Sequence, residues 1–129
     1  MATLKTALTL TSVDTSSDAL SLSLTDSLTV VSPSISPSKI TVSTTGANNI
    51  IQPNTDGQTY YVFVHHTGLD SSGSAVTSTL GVELTGDVAI GKLAAGEFMF
   101  MPVGGHSLGV QLQASAGTIV AEYAYFTKG

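Results

Sequence analysis

Three histidines and two glutamates are the side chains of this sequence best suited to hold a metal ion. They are His65, His66, His106, Glu83 and Glu97, and neutral imidazole with carboxylate is a ligand set for Zn, Fe or Mn. His65 and His66 are neighbours in "YYVFVHHT", a predicted strand, where successive side chains point to opposite faces. Only one of them can face a given pocket, so the metal-binding set to consider is His66, Glu97 and His106.

The segment "PVGGH", residues 102–106, is similar to the second metal motif of cupins, in which a Pro and Gly turn precedes a His ligand. The resemblance would imply a cupin-like metalloenzyme. The first cupin motif has two His two residues apart, which this sequence lacks, and the spacing from Pro102 to His106 is one residue too short. These departures favour a structural reading, in which His65 or His66 ends a strand at the solvent boundary and His106 caps a glycine turn.

Other catalytic patterns are absent from the sequence. There is no G-x-S-x-G nucleophile elbow, P-loop or dinucleotide fingerprint. The segments "NTDGQ" and "DSSGS" match only fragments of a calcium loop, and turn Asp residues usually bond to nearby backbone amides. A glycosidase with paired carboxylates is disfavoured because Trp is absent and few aromatic platforms are available. We therefore predict a protein that is not an enzyme and has no cofactor.

The composition excludes several classes of partner. The 129 residues include 4 Lys, no Arg and 9 acidic residues, for a formal net charge of -5. Such a chain lacks the basic surface that binds nucleic acid or an anionic membrane. It has no Cys and no apolar run near the ~20 residues of a membrane-spanning helix. We expect a soluble protein made in the cytosol.

Alternation with a period of two dominates the chain and predicts strands. In "ALSLSLTDSLTVV" Ser and Thr residues lie on one face, with Asp26 marking a bulge or bend. The other face carries Leu20, Leu22, Leu24, Leu28 and Val30. Pro33 and Pro37 then indicate a loop or an edge. "YYVFVHHT" is apolar on both faces, as in a central strand. The pattern predicts an all-β antiparallel sandwich of jelly-roll type.

All eight Tyr and Phe residues lie between positions 60 and 126. Because aromatic side chains carry much of a small core's burial energy, the compact sandwich is predicted to comprise 46–129. Residues 1–45 are predicted to form a Ser/Thr-rich strand arm, which either completes its own sheet or is exchanged with a neighbouring subunit. That 1–45 simply adds two ordinary strands to the same sandwich is an equal alternative.

The surface carries few of the charges that normally protect strand edges, since only 10 % of the residues are charged. We therefore expect edges and apolar patches to be covered by other subunits. In "GEFMFMP" the two Phe lie on one face and the two Met on the other, and one of these faces must be covered outside the core. The predicted interface residues are Leu4, Leu8, Leu10, Leu20, Leu22, Leu24, Met99 and Met101.

Nearly the whole chain resembles small virion proteins of tailed phages, notably those of marine cyanobacterial phages. The segments that carry the resemblance are "MATLKTALTLTSVDTSSDALSLSLTDSL", "YYVFVHHTG", "VELTGDVAIGKLAAGEFMFMPV" and "TIVAEYAYFTK". No catalytic motif is part of it. It implies a β-rich building block present in many copies, which decorates or cements a capsid or forms part of a neck, tail or fibre.

The expected function is thus that of a capsid decoration or cement protein, which stabilises the shell by β-edge and apolar contacts. The expected partners are copies of itself, as a homo-oligomer such as a trimer, and other virion proteins such as the major capsid protein. The expected location is the virion, after assembly in the host cytoplasm. The alternatives are a tail, neck or baseplate component, a carbohydrate-binding adhesin, and the cupin-like metalloenzyme. The adhesin's stacking residues would be Tyr60, Tyr61, Tyr123 and Tyr125.

Overall fold

The computed structural model of the chain describes residues 2–14, 18–45, 48–51, 59–86, 88–103 and 109–129, and only the backbone of 32–36. These residues form nine strands and no helix, so the described ranges contain no helix that could cross a membrane. The strands are β1 (Ala2–Ser12), β2 (Leu20–Val42), β3 (Asn48–Ile51), β4 (Tyr60–His66), β5 (Leu80–Leu84), β6 (Val88–Leu93), β7 (Phe98–Val103), β8 (Val110–Ala114) and β9 (Ile119–Lys128).

The strands form two sheets, with the orders β1-β2-β9-β4-β7 and β3-β8-β5-β6. From β2 onward the neighbours are nested: β2 lies beside β9, β3 beside β8, β4 beside β7 and β5 beside β6. This nesting is that of one long hairpin rolled into two sheets, which is the jelly roll. Adjacent strands run antiparallel. The predicted all-β antiparallel sandwich of jelly-roll type is confirmed.

The core consists of alternate side chains from both sheets. Val62 and Val64 from β4, Leu80 from β5, Leu112 from β8 and Ile119 from β9 are almost completely buried in one hydrophobic cluster. These residues alternate with outward-facing ones because the side chains of a strand point to opposite faces. β4 lies between β9 and β7, as its two apolar faces predict. The interior of the sandwich is therefore filled by packed aliphatic and aromatic side chains.

The chain divides into two compact units. The hairpin unit is Met1–Val31 with Lys128–Gly129, and the sandwich unit is Ser32–Thr127. The division falls within β2, not at the change of composition near residue 45. Val42, near the end of β2, is completely buried and belongs to the core of the sandwich unit. In the hairpin unit Val30 is the one hydrophobic residue buried among those that the structure describes.

The pairing of β1 with β2 is regular along its whole length. The register passes through Thr6↔Asp26 without a shift, so the predicted bulge at Asp26 is wrong. β2 continues as a strand through Pro33 and Pro37, where a loop or an edge is predicted. The pairing with β1 ends at Val30, and both prolines therefore occupy a stretch of β2 without a β1 partner. Proline has no N–H to donate, and on the side where β1 would lie no hydrogen bond requires one.

Candidate assembly surface

The register of the β1–β2 hairpin places leucines opposite leucines. Leu8 pairs with Leu24 and Leu10 with Leu22, while Leu20 lies opposite Ser12. Residues at even positions of both strands point to the same face, because the antiparallel register pairs even with even numbers. This arrangement brings six of the predicted interface residues to one face of the hairpin: Leu4, Leu8, Leu10, Leu20, Leu22 and Leu24.

Five of these leucines are exposed to solvent. Leu8, Leu10, Leu20, Leu22 and Leu24, called here the leucine face, keep between 38 % and 59 % of their surface accessible. Leu4 is only half exposed, as is its cross-strand partner Leu28. Exposed leucines scattered singly are common on protein surfaces, whereas a contiguous group marks an interaction site. The leucine face is such a group.

The opposite face of the hairpin is polar. Thr9 pairs with Ser23, Thr11 with Ser21, and Lys5 with Ser27. Hydroxyl side chains on that face remain hydrated and need no protein partner. The hairpin is therefore amphipathic, with one wettable face and one apolar face.

A two-stranded hairpin is only marginally stable in water, because independent stability takes a third strand or a packed layer. Within the hairpin unit, the backbone added to β1 and β2 is the short segment Lys128–Gly129, whose Gly129 N–H donates to the Thr29 carbonyl oxygen. The leucine face supplies the apolar surface for such a layer. None of its members belongs to the hydrophobic core cluster of the described residues. Covering this face by another apolar surface would therefore bury leucines and hold the hairpin in shape.

A second apolar surface lies on β7, at the edge of the first sheet. The side chains alternate as predicted, but the exposed face carries Phe98 and Phe100, which are 65 % and 40 % accessible. Met99 packs against the core cluster, and its Sδ comes within 3.1 Å of where a Cβ on Gly91 would lie. Met99 and Met101, which are both predicted interface residues, are partly buried. No sequence signal distinguishes the two faces of a strand that is apolar on both.

The four tyrosines do not form an exposed platform. Tyr60 and Tyr61 are each 8 % accessible, and Tyr60 meets Tyr125 edge to face at 5.7 Å between ring centroids. Tyr123 packs against the core cluster. Burial, followed by the proximity of Tyr60 and Tyr123, raises the pKa of Tyr125. An adhesin that stacks sugars on paired tyrosines needs exposed rings side by side, and these four do not provide them.

The histidines and glutamates considered as metal ligands that the structure describes each have a structural partner. His66 is completely buried, and its Nε2 lies 2.9 Å from the Ser78 carbonyl oxygen. The Gly68 N–H donates to His66 Nδ1 at 3.0 Å, so this nitrogen carries no proton and Nε2–H must donate to Ser78. Glu97 Oε2 accepts from the Ala94 N–H at 2.7 Å.

His65 and Glu83, the other candidates that the structure describes, have different partners. His65 is partly exposed on the opposite face of β4, 3.6 Å from Glu122, as the alternation of strand side chains predicts. Glu83 accepts a hydrogen bond from Gln111 on β8. His106 lies outside the described residues. Within the described ranges no three His, Asp or Glu side chains converge on a point where a metal ion could sit.

The segment "DSSGS", a fragment of a calcium-loop pattern, is a self-contained turn. Asp70 Oδ1 accepts hydrogen bonds from the Ser72 N–H, the Ser72 hydroxyl and the Ser74 N–H at 2.7–2.9 Å. Gly73 has a φ of 85°, a conformation that glycine adopts without strain. The carboxylate therefore serves the turn, as predicted for Asp residues in turns.

These bonds predict a pH dependence. Hydrogen bonds from Ser72, followed by that from the Ser74 N–H, hold the pKa of Asp70 below its ordinary value of 3.8. A carboxylate with a lowered pKa in the folded state adds stability above its unfolded-state pKa and loses it as the pH falls through the folded-state pKa. We expect Asp70→Asn to lower Tm at pH 6 and to have no effect at a pH below that folded-state pKa. A Tm difference that persists unchanged in strong acid would contradict this assignment.

A shallow groove of about 400 Å³ lies along the second sheet, and its lining includes Gly81, Glu83 and Gln113. Glu83 accepts from Gln111, and Gln113 donates to the Thr44 carbonyl oxygen. Both side chains are thus engaged within the chain, and they do not converge as the polar groups of a binding pocket do.

Compared with known protein families and with curated proteins, the sequence gives no match.

Proposed function

We propose that this chain is a non-enzymatic structural protein of a phage virion, most consistent with a capsid decoration or cement protein. It acts by covering apolar surface and pairing strand edges, both with copies of itself and with other virion proteins such as the major capsid protein. It assembles in the host cytoplasm and works as a homo-oligomer, for which a trimer is one arrangement.

The jelly roll by itself permits several functions, since it occurs in viral capsid proteins, lectin domains and cupins. The site must therefore discriminate among them. A lectin of the tyrosine-platform type requires exposed Tyr rings, whereas Tyr60 and Tyr61 are buried. A cupin-like enzyme requires metal ligands that are free to converge, whereas His66 and Glu97 are engaged with backbone groups of adjoining turns. These observations favour a structural role.

One observation carries the proposal: the leucine face lies on a unit with hardly any buried core of its own. Five exposed leucines on one side of a hairpin are costly for a subunit that works alone, because they promote non-specific association. They are useful in a subunit whose hairpin is covered during assembly. The exposed Phe98 and Phe100 on the edge strand β7 give the sandwich unit a second surface of the same kind.

The test is the location of the protein on intact particles. Antibodies against the recombinant chain are expected to label the heads of purified virions of the phage that encodes it, as seen by electron microscopy. Labelling of the tail, neck or baseplate would support the second candidate, a tail component, which the same exposed surfaces would serve. Particles without label, from lysates in which the protein is abundant, would overturn the proposal.

A further inference from the structure

We infer that the occupant of the leucine face is the same face of a second copy of this chain. The inference rests on the proposed structural role, in which many copies are brought together, and it names the partner of that surface. In this arrangement two hairpins pack face to face, with the leucines between them and the hydroxyl faces outward.

The leucine face has the symmetry that a self-contact needs. Leu8, Leu24, Leu10 and Leu22 form two adjacent cross-strand pairs, so a second copy turned over by a half turn about an axis in the plane of the contact places leucine opposite leucine. An interface between identical subunits related by a twofold axis requires one patch to be complementary to itself. A square of four identical side chains meets this requirement, whereas a patch for a different partner needs no such regularity.

The border of the leucine face limits how two copies can slide on each other. Towards the start of β1 the next layer is Thr6 opposite Asp26, and Asp26 Oδ1 accepts from the Ser27 N–H at 2.7 Å. Towards the hairpin tip Ser12 lies opposite Leu20, and the Ser12 hydroxyl bonds to Asp14. An apolar centre with a polar rim is the usual anatomy of an interface. A shift by one layer would press Thr6 and Asp26 against leucine, which costs free energy.

The size of the face determines the strength of the contact. The whole face of the hairpin, eleven residue pairs at about 3.3 Å each across two strands about 5 Å apart, measures only some hundreds of Å², and the leucine face is part of it. That is smaller than the ~800 Å² per partner of a standard stable complex. The contact is therefore weak between two free molecules and gains strength where several copies are held side by side, as on a shell. Chemical cross-linking between neighbouring copies therefore detects this weak contact better than size-exclusion chromatography does.

Because the natural chain has no cysteine, single cysteines can report this contact. We compare Leu22→Cys, in the leucine face, with Ser23→Cys, its neighbour on the hydroxyl face. Sheets packed face to face lie about 10 Å apart, beyond the reach of a disulfide, so the reagent is a short bismaleimide. We expect Leu22→Cys to give at least tenfold more cross-linked dimer than Ser23→Cys at equal, high protein concentration. Adding Leu10→Ser to Leu22→Cys is expected to reduce the yield several-fold, while far-ultraviolet circular dichroism verifies folding.

Equal yields from the two single-cysteine variants would show random collision and overturn self-pairing. The same reaction on virions that contain Leu22→Cys separates this inference from the proposed function. Cross-linking there exclusively to a different protein would overturn self-pairing and leave the structural role standing. Efficient self-cross-linking by a protein that is absent from virions would support self-pairing and overturn the proposed function.

Discussion

Replacing His66 by alanine is expected to lower the free energy of unfolding by about 4 kcal/mol. The substitution removes a completely buried ring and leaves two backbone groups, the Gly68 N–H and the Ser78 carbonyl, without their hydrogen-bond partner. Each buried unsatisfied group costs about 1–3 kcal/mol, and the cavity adds to this cost. Urea denaturation followed by circular dichroism measures the change.

The adjacent residue provides the matched control. His65→Ala removes a partly exposed imidazole whose contact is the Glu122 carboxylate at 3.6 Å, and such pairs contribute less than about 1 kcal/mol. The two substitutions delete the same side chain from consecutive positions of β4. If the two substitutions lower the free energy of unfolding equally, or if His65→Ala lowers it more, then the hydrogen bonds of His66 with the Gly68 N–H and the Ser78 carbonyl do not stabilise the protein as proposed. A His66→Ala protein that is as stable as the natural one would contradict the assignment directly.

Leu80→Ala is expected to destabilise the protein by about 3 kcal/mol, because Leu80 is fully buried between the two sheets. The same substitution at Leu22 is expected to cost less than about 1 kcal/mol in dilute solution, because 38 % of that residue is already exposed. Both values come from denaturant titrations at low protein concentration, where subunits are apart.

Comparing Leu22→Ala with Leu80→Ala also tests the role of the leucine face. If Leu22→Ala proves as costly as Leu80→Ala in dilute solution, Leu22 packs within the single chain and is unavailable to another subunit. The proposed contact between copies requires instead that Leu22→Ala becomes more costly as the protein concentration rises. Leu80→Ala should show no such dependence, since its contacts lie within the core of the sandwich unit.

Much of the fold follows from local patterns in the sequence. The alternation of Leu with Ser and Thr predicts the β1 and β2 strands and the face on which the leucines lie. The apolar run "YYVFVHH" predicts a central strand, and Gly turns predict where most of the later strands end. These features are readable because a strand has a period of two and its side-chain environment repeats along it. The places where a strand is interrupted are harder to predict. β2 continues through Asp26, Pro33 and Pro37, because pairing with neighbouring strands, and not local propensity, decides where a strand ends.

The candidate assembly surface can be predicted only in part from the alternation of side chains along the strands. The sequence by itself determined that the leucines of each strand share a face and that His65 and His66 point apart, because both depend on alternation along one strand. Several short alternating segments separated by turn signals predicted the antiparallel β-sandwich. The register of the β1–β2 hairpin then brought the leucines of the two strands to one face. Only the tertiary structure decided which faces stay exposed: the leucines and Phe98 and Phe100 outward, Met99 and Tyr60 inward. It also decided that His66 and Glu97 bond to adjoining turns. Burial depends on which other strands pack against a face. The sequence of a strand that is apolar on both faces therefore does not indicate which face is buried.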